Sequence, residues 1–248
     1  MAAWLSGEVV DNKQWCVDLF SLKIRTSSSL TFSAGQFIKV GLEVDDKLLA
    51  RPYSLINTPQ DSLLEIHFNR VENGLLSPRL ANLSVGNNLQ ISERATGLLT
   101  LDEVPDIPHL WLLATGTGVG PFLSILKTSA PWQRFKKIVL GYSVKWVDNQ
   151  AYMDDFTALQ LQYPEQFCFV PFVTREKAPE TINTRITTSI ENGELEKRVN
   201  LKIVADSSHI MLCGNSKMVS DATSLFKGRG LRRHTRREPG HIATEKYY

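Results

Sequence analysis

The sequence has little cysteine. Its three cysteines, Cys16, Cys168 and Cys213, lie far apart, so no two of them form a C-x-x-C motif for thiol redox chemistry or zinc. Three thiolates are also too few for a usual iron–sulfur cluster. We therefore predict no metal site, and we expect any electron carrier that serves this chain to be organic or external.

The chain also lacks a large net charge and a long hydrophobic run. A formal charge of +2 over 248 residues gives no general attraction to nucleic acid or to membranes, so neither is expected as a partner. The longest uncharged stretch, 109–126, contains three glycines and a proline and predicts a strand, a turn and a helix rather than a membrane span. The first residues have no basic flank and no long apolar stretch, which argues against a secretory signal peptide. We expect a cytoplasmic protein in a reducing environment.

Short strands dominate the first part of the chain. They are predicted at 6–10, 16–24, 36–41, 52–57, 64–69 and 88–92, with Gly, Pro, Asn and Asp between them. Repeated short strands with turn residues indicate an antiparallel barrel. One short helix is expected at 77–82, because Ser77 resembles an N-cap and Pro78 a first helical residue.

The pattern changes near residue 104. Apolar strands are predicted at 110–114, 138–142, 167–173 and 209–213, alternating with helices at 121–127, 151–163, 185–191 and 216–226. This alternation indicates a parallel sheet that helices cover on both faces. With the proline-rich stretch 105–108 as a linker, the sequence predicts a β plus α/β fold with domains at 1–103 and 104–248.

Two turns follow apolar strands of the second domain. Gly116-Thr117-Gly118-Val119-Gly120-Pro121 leads from a strand directly into a helix, where free N–H groups can bind a phosphate. Its spacing is not that of the usual G-x-G-x-x-G fingerprint, and a tight connection without a ligand is the alternative. The second turn, Cys213-Gly214-Asn215, is expected at the same edge of the sheet, with Cys213 either beside a ligand or in the core.

The first domain carries residues suited to a flat ring and a pyrophosphate. In the extended segment Arg51-Pro52-Tyr53-Ser54, Arg51 and Tyr53 are predicted to face one side and Ser54 the other. Arginine can bind a pyrophosphate, tyrosine can stack on a ring, and serine can bond a ring nitrogen. The helix that begins near Ser77 is a second candidate anion site. Each feature alone is commonly barrel surface or a helix cap, but together they favour two nucleotides.

Basic residues and two C-terminal tyrosines are further candidate ligand contacts. Lys145, Arg175 and Arg185 are expected at the carboxyl edge of the sheet, where they could hold a 2′-phosphate or simply be solvated. A second basic run could attract an acidic partner, with solvated charge as the alternative. It comprises Lys227, Arg229, Arg232, Arg233, Arg236 and Arg237. The two final tyrosines, Tyr247 and Tyr248, are expected to pack against the fold or a flavin.

Over essentially its whole length the chain resembles bacterial ferredoxin/flavodoxin–NADP⁺ reductases. The resemblance rests on the segments Arg51–Ser54, Gly74–Leu80, Gly116–Pro121 and Cys213–Asn215, which occur in that order. It implies an FAD-binding antiparallel barrel followed by an NADP-binding α/β domain, with a C-terminal tail that returns to the flavin. It also implies hydride transfer between NADP(H) and the flavin, and transfer of single electrons between the flavin and ferredoxin or flavodoxin.

The resemblance assigns a role to each candidate residue. Arg51 would contact the FAD diphosphate together with Gly74, Leu75, Leu76 and Ser77, while Tyr53 and Tyr247 would cover the two flavin faces and Tyr248 would extend towards the adenine. The NADP(H) residues would be Gly116, Thr117, Gly118, Gly120 and Gly214, with Lys145, Arg175 and Arg185 at the 2′-phosphate. Ser54, Cys213 and Glu245 would be the catalytic residues near the flavin and the nicotinamide. The acidic electron carrier would dock on Arg232, Arg233, Arg236 and Arg237 of a monomer.

Other readings use the same two domains. One is an NADH-dependent cytochrome reductase or a free-flavin reductase, and another is a flavoprotein adaptor without catalytic activity. The cytochrome reductase would not prefer NADPH, the free-flavin reductase would lack a firmly bound FAD, and the adaptor would not be reduced by any nicotinamide.

Overall fold

The computed structural model describes residues 4–235 and 237–247. By their internal packing these residues form two units. The first comprises the chain up to Thr100 together with Gly120–Thr128, and the second comprises Leu101–Val119 and the chain from Ser129 onward. Tyr248 and Arg236, which the sequence assigns to the flavin and to carrier docking, lie outside the described residues.

The first unit is built on a six-stranded antiparallel sheet. Its elements are β1 (Trp4–Cys16), β2 (Leu19–Thr26), β3 (Phe37–Val44), β4 (Lys47–Ser54), β5 (Leu64–Asn69), α1 (Ser77–Ala81) and β6 (Asn88–Ser92). The strand order is β4-β3-β6-β1-β2-β5, and Leu55, directly after β4, pairs with Ile66 of β5. The two ends of the order therefore meet, and the antiparallel barrel that the sequence predicts is confirmed.

Alternating apolar residues fill the barrel. Val9 of β1, Leu22 and Ile24 of β2, Val40 of β3 and Ile66 of β5 have no exposed surface. Complete burial of an aliphatic side chain contributes about 1.5–3 kcal/mol to folding. The alternation of these residues with polar ones fixes which face of each strand points inward.

The hairpin of β3 and β4 corrects the predicted strand 52–57. Asp45 and Asp46 have φ values of 50° and 57° and connect Val44 to Lys47 in a two-residue turn. Two consecutive residues in the left-handed region are what a tight hairpin requires, and aspartate tolerates that conformation better than most residues. The strand therefore begins at Lys47 and ends at Ser54.

The predicted N-cap role of Ser77 is wrong. Helix α1 begins at Ser77, its N-cap is Leu76, and no side chain caps it. The Ser77 hydroxyl instead accepts a hydrogen bond from the Val71 N–H at 3.0 Å, and Val71 O accepts one from the Gly74 N–H at 2.8 Å. The serine thus closes the loop in front of the helix.

The second unit is built on a five-stranded parallel sheet. Its strands are β7 (His109–Thr115), β8 (Lys137–Val144), β9 (Phe167–Val173), β10 (Ser208–Asn215) and β11 (Ile242–Tyr247), in the order β11-β10-β7-β8-β9. The helices of this part of the chain are α2 (Gly120–Leu126), α3 (Ala130–Arg134), α4 (Met153–Gln162), α5 (Ile186–Glu191), α6 (Glu194–Arg198) and α7 (Ser216–Gly228). By packing, α2 belongs to the first unit. The predicted parallel sheet is confirmed.

The C-terminal residues differ most from the helices and strands that the sequence predicts for the second domain. Residues 242–247 form β11, which extends the sheet beside β10 with Cys213 opposite Glu245. The chain proceeds from β7 to β8 on one side and from β10 to β11 on the other, so the direction of winding changes between β7 and β10. Sheets of this kind bind ligands at such a switch point, outside the carboxyl ends of the strands. Within the described residues, no helix is both long and apolar enough to span a membrane.

Candidate functional site

Two glycine turns meet at the switch point of the parallel sheet. After β7, Gly116–Val119 form one turn of 3₁₀ helix, and after β10 the chain turns at Gly214. A Cβ on Gly118 would lie 2.6 Å from Cys213 O and 2.7 Å from the Cα of Gly214. Real Cβ atoms do not approach backbone so closely, so the two turns can pack together only because Gly118 has no side chain.

Thr115 joins the two turns. Its hydroxyl oxygen accepts a hydrogen bond from the Asn215 N–H at 2.8 Å. Gly214 has a φ of 124°, and a Cβ there would lie 2.3 Å from the same hydroxyl oxygen. Sequence reasoning missed Thr115, because a threonine at the end of an apolar strand has no special signal until its partner across the sheet is known.

The turns leave room for a phosphate. Gly116 has a φ of 52°, and a Cβ added to it would meet no atom of the described residues within 4 Å. On the other turn, the Asn215 side chain caps α7 by accepting hydrogen bonds from the Lys217 and Met218 N–H groups at 3.0 and 3.2 Å. A fixed helix start beside an open glycine turn is an arrangement that can bind a pyrophosphate.

Cys213, Glu245 and Tyr247 form one cluster at the ends of β10 and β11. The Cys213 Sγ lies 4.0 Å from Glu245 Oε1, and the Tyr247 side chain also hydrogen-bonds the thiol. Burial raises the pKa of Cys213 well above its ordinary value, and the Glu245 carboxylate raises it further. The thiol therefore stays protonated at neutral pH and acts as a hydrogen-bond donor rather than a nucleophile.

The end of β11 is held by α7. The Ser216 hydroxyl donates to Tyr247 O at 2.8 Å, and the Lys246 ammonium donates to the Ser220 hydroxyl at 2.8 Å. Ser216 and Ser220 lie one helical turn apart on the same side of α7. Sequence reasoning missed both serines, because it expected a tail and not a strand.

The structure brings Lys145 and Arg175 side by side. Lys145 directly follows β8, and its carbonyl oxygen accepts the Arg175 N–H at 2.9 Å. Arg185 precedes α5, three residues after Ile182, which pairs with Phe172 of β9. All three cations are exposed, and none of them forms an ion pair with a described carboxylate.

The carboxylate nearest to Arg175 along the chain already has a hydrogen-bond partner. The Glu176 carboxylate, next to Arg175, accepts a hydrogen bond from the Val147 N–H at 2.6 Å. Three cations at the carboxyl edge of a parallel sheet, without an ion-pair partner among the described carboxylates, favour a polyanionic ligand such as a 2′-phosphate.

The barrel residues of Arg51–Ser54 differ in exposure. Arg51 is exposed, Tyr53 is half-buried and Ser54 is buried. The Tyr53 ring packs edge-on against Phe68, with 5.8 Å between centroids and 74° between planes. Burial raises the pKa of Tyr53 to about 12, although Arg51 opposes the shift, so the phenol remains neutral and suited to stacking.

The segment Gly74–Ser77 belongs to the same unit. Leu76 is buried in the barrel core, against which Tyr53 packs, whereas Leu75 is 65% exposed. The Arg79 guanidinium donates to Leu75 O and so fixes the backbone of this exposed leucine. An apolar side chain held outward in this way can contact a ligand without reorganisation.

The basic run after α7 is only partly available to a partner. Arg232, Arg233 and Arg237 are exposed. Arg229, in contrast, forms an ion pair with the buried Glu196 at 3.0 Å and also donates to Ile190 O. Arg229 is therefore a structural residue.

Comparison with known proteins agrees with this division. Residues 7–95 match the oxidoreductase FAD-binding domain, and residues 112–224 match the oxidoreductase NAD-binding domain. The chain is 41% identical to the flavodoxin/ferredoxin–NADP reductase of Shigella flexneri, with 100% of each sequence covered. It is 32% identical to the ferredoxin–NADP reductase of Pseudomonas aeruginosa, with 97% of this chain and 96% of the relative covered.

A solved structure has the same fold throughout. A ferredoxin NADP⁺ reductase from Neisseria gonorrhoeae, crystallised with bound FAD and NADP, superposes with a TM-score of 0.95 at 29% identity. The superposition covers 100% of both chains.

We predict that Gly118→Ala lowers the affinity for NADP⁺ by about tenfold or more, because the added Cβ forces the two glycine turns apart. The affinity is measured by titration of the folded variant with NADP⁺. Gly228→Ala is the matched control, since a Cβ there meets nothing within 4 Å. A folded Gly118→Ala protein that binds NADP⁺ as tightly as the control would contradict the packing argument.

Proposed function

The chain belongs to the flavodoxin/ferredoxin–NADP reductase family, and we propose that the residue clusters described above hold its FAD and its NADP(H). The protein is an FAD-dependent oxidoreductase that transfers a hydride between NADP(H) and the flavin and exchanges electrons with ferredoxin or flavodoxin. The observation that supports the residue assignment most strongly is the pair of glycine turns at the switch point, beside Cys213 and Glu245. When bound, flavin and nicotinamide supply the hydride chemistry, and the protein supplies position and environment.

The glycine turns are assigned to the NADP(H) pyrophosphate. The residues involved are Gly116, Thr117, Gly118, Gly120 and Gly214. Thr115 keeps the two turns in register, because its hydroxyl oxygen accepts the Asn215 N–H. Lys145, Arg175 and Arg185 are assigned to the 2′-phosphate, for which an arginine offers paired donors and a fixed charge.

The barrel cluster is assigned to FAD. Tyr53 presents a neutral, half-buried ring for stacking, and the neighbouring Arg51 supplies a cation for the diphosphate. Ser54 is assigned to the reactive edge of the flavin, and Gly74, Leu75, Leu76 and Ser77 to the diphosphate segment. Tyr247 is assigned to the second face of the flavin, and Tyr248 is assigned to the side of the adenine.

Cys213 and Glu245 are proposed to prepare the place of the nicotinamide. A protonated thiol next to a carboxylate provides one weak donor and one acceptor without a reactive nucleophile. The complete burial of Cys213 keeps water away from this position. Together with Ser54 these residues are the proposed catalytic residues, and their part is to orient the reacting rings.

We further propose that the acidic carrier docks on Arg232, Arg233, Arg236 and Arg237, and that the protein is a monomer of the cytoplasm. The exposure of Arg232, Arg233 and Arg237 supports the docking site. The domain limits 1–103 and 104–248 are proposed on the change of sequence pattern between the two halves.

Replacement of Arg175 and Arg185 by alanine tests the nicotinamide assignment. We expect kcat/KM for NADPH to fall about 10- to 100-fold for each variant, because a charged hydrogen bond to the 2′-phosphate is lost, and kcat/KM for NADH to stay unchanged. Both are measured with ferricyanide as acceptor. The control is Arg198→Ala, which removes a surface arginine paired with Glu180. An equal fall for NADPH and NADH would rule out 2′-phosphate recognition by these arginines.

Charge reversal tests the docking surface. Arg232→Glu and Arg233→Glu should slow the reduction of flavodoxin and weaken the dependence of its rate on salt, because electrostatic steering is lost. Reduction of ferricyanide should be unaffected. Arg25→Glu, on β2 of the first unit, makes the same change in net charge without altering an arginine of the proposed docking site. If all three variants slow flavodoxin reduction equally, the docking assignment fails and only net charge matters.

A further inference from the structure

The described residues of the loop between α7 and β11 have a defined conformation. Residues 231–241 are here called the arginine loop, in which Arg232, Arg233 and Arg237 are exposed. Its two ends run side by side: the His234 N–H donates to Ile242 O at 2.8 Å, and the His241 N–H donates to Arg232 O at 2.8 Å. The Ile210 N–H of β10 donates to His241 O at 2.7 Å and ties the loop to the sheet.

Two histidine rings close this loop by accepting hydrogen bonds from its backbone. The Arg232 N–H donates to His241 Nδ1 at 2.9 Å, and the Gly240 N–H donates to His234 Nδ1 at 3.3 Å. A backbone amide is always a donor, so each Nδ1 must carry a free lone pair. Both imidazoles are therefore neutral in this conformation, with the ring proton on Nε2.

Protonation cannot be accommodated by this arrangement. A protonated imidazole carries an N–H at both ring positions and has no acceptor left for the backbone. The Arg232 or Gly240 amide would then face another donor, which costs the full desolvation of both groups where they are shielded from water.

The surroundings of the two rings are mostly basic. His241 faces Arg232 on its own loop and Asp206 before β10. Burial lowers the pKa of His241, Arg232 lowers it further, and Asp206 opposes them. The His234 ring lies edge-on to the ring of His209 of β10, with 5.8 Å between the two ring centroids. His241 and Arg134 of α3 also lower the pKa of His209.

His209 itself does not titrate in the physiological range. It has no exposed surface, and burial lowers its pKa to about 3, with His234 as the next cause. The group whose protonation bears on the loop is thus His241, which accepts the Arg232 N–H. A proton on this ring adds positive charge beside Arg232.

We propose that His234 and His241 are positioning residues for the electron carrier: by accepting backbone hydrogen bonds they hold the arginine loop in the conformation that presents Arg232, Arg233 and Arg237, and protonation of His241 releases it. This inference rests on the docking site proposed above. Because His241 titrates below its ordinary value of about 6.5, carrier docking is complete above that pH and is lost as the pH falls through the lowered pKa.

The direction of this pH dependence distinguishes a change in the loop from simple electrostatic attraction between the protein and the carrier. Added protons make the protein more positive, which by itself would strengthen its attraction to an acidic carrier. A loss of docking on mild acidification of the reductase therefore has to come from the shape of the loop.

Two substitutions at His241 distinguish the hydrogen bond from the ring. In His241→Asn, the amide oxygen can take the place of Nδ1 as an acceptor and does not titrate. In His241→Gln, the amide lies one bond further out, near the place of Nε2, and the Arg232 N–H loses its partner. The same pair at His234 addresses the Gly240 N–H.

The experiment measures kcat/KM for flavodoxin with NADPH between about pH 5 and 7.5, with ferricyanide as the parallel acceptor. The wild-type ratio of the two values should fall about tenfold towards acid pH. The ratio should fall clearly less in His241→Asn and should be low at every pH in His241→Gln. Ferricyanide reduction and flavin content should be the same in all three, which excludes misfolding. The same flavodoxin is used throughout, so its own titration affects every variant equally.

Amide hydrogen exchange of residues 231–241 gives a second readout without a carrier. After correction for intrinsic rates, exchange should speed up on acidification in the wild type and much less in His241→Asn. A His241→Asn variant with the wild-type pH profile in both measurements would overturn the inference, as would a wild-type ratio that does not change with pH. Failure of the docking site is distinguishable, because charge reversal at Arg232 and Arg233 would then have no effect on flavodoxin reduction.

Discussion

The close packing of two glycine turns is the constraint on which the proposed nucleotide site depends. Gly118 lies against the backbone of Cys213 and Gly214, and the Thr115 hydroxyl bonds the next amide, that of Asn215. These contacts bring the carboxyl ends of β7 and β10 together at the point where the winding of the sheet reverses. The position of Cys213, and through the β10–β11 pairing that of Glu245, follows from this packing. A small change in the turns would therefore displace the proposed pyrophosphate site and the proposed nicotinamide residues together.

Two of the side chains assigned to the proposed reacting rings, Cys213 and Tyr53, are kept uncharged by burial. The pKa of Cys213 is raised by burial and by Glu245, and the pKa of Tyr53 is raised to about 12. A thiol and a phenol in these states cannot act as nucleophiles at neutral pH. Lys145, Arg175 and Arg185, in contrast, are charged and exposed, and they are suited to select a ligand. This separation is appropriate for an enzyme whose cofactors carry the chemistry and whose protein determines geometry and specificity.

Local sequence patterns predicted most elements and both glycine turns, because apolar periodicity and turn residues act over a few positions. Strand 167–173, for example, has the predicted bounds. The sequence did not predict the Asp45–Asp46 hairpin, because an Asp-Asp pair is a weaker turn signal than Asn-Gly. It also missed β11, whose place in the sheet is set by pairing with β10. The partners of Thr115, Ser77 and His241 are likewise set by the tertiary fold, so the side-chain roles that depend on them required the structure.

Hydride transfer that favours NADPH is the central claim, and the loss of flavin absorbance under anaerobic conditions measures it most directly. The purified protein is mixed rapidly with equal concentrations of NADPH or NADH, and the rate at which the yellow colour bleaches is recorded. We expect NADPH to bleach the flavin much faster than NADH does. Equal rates, or a faster reaction with NADH, would contradict the account, and so would a flavin that neither nucleotide reduces.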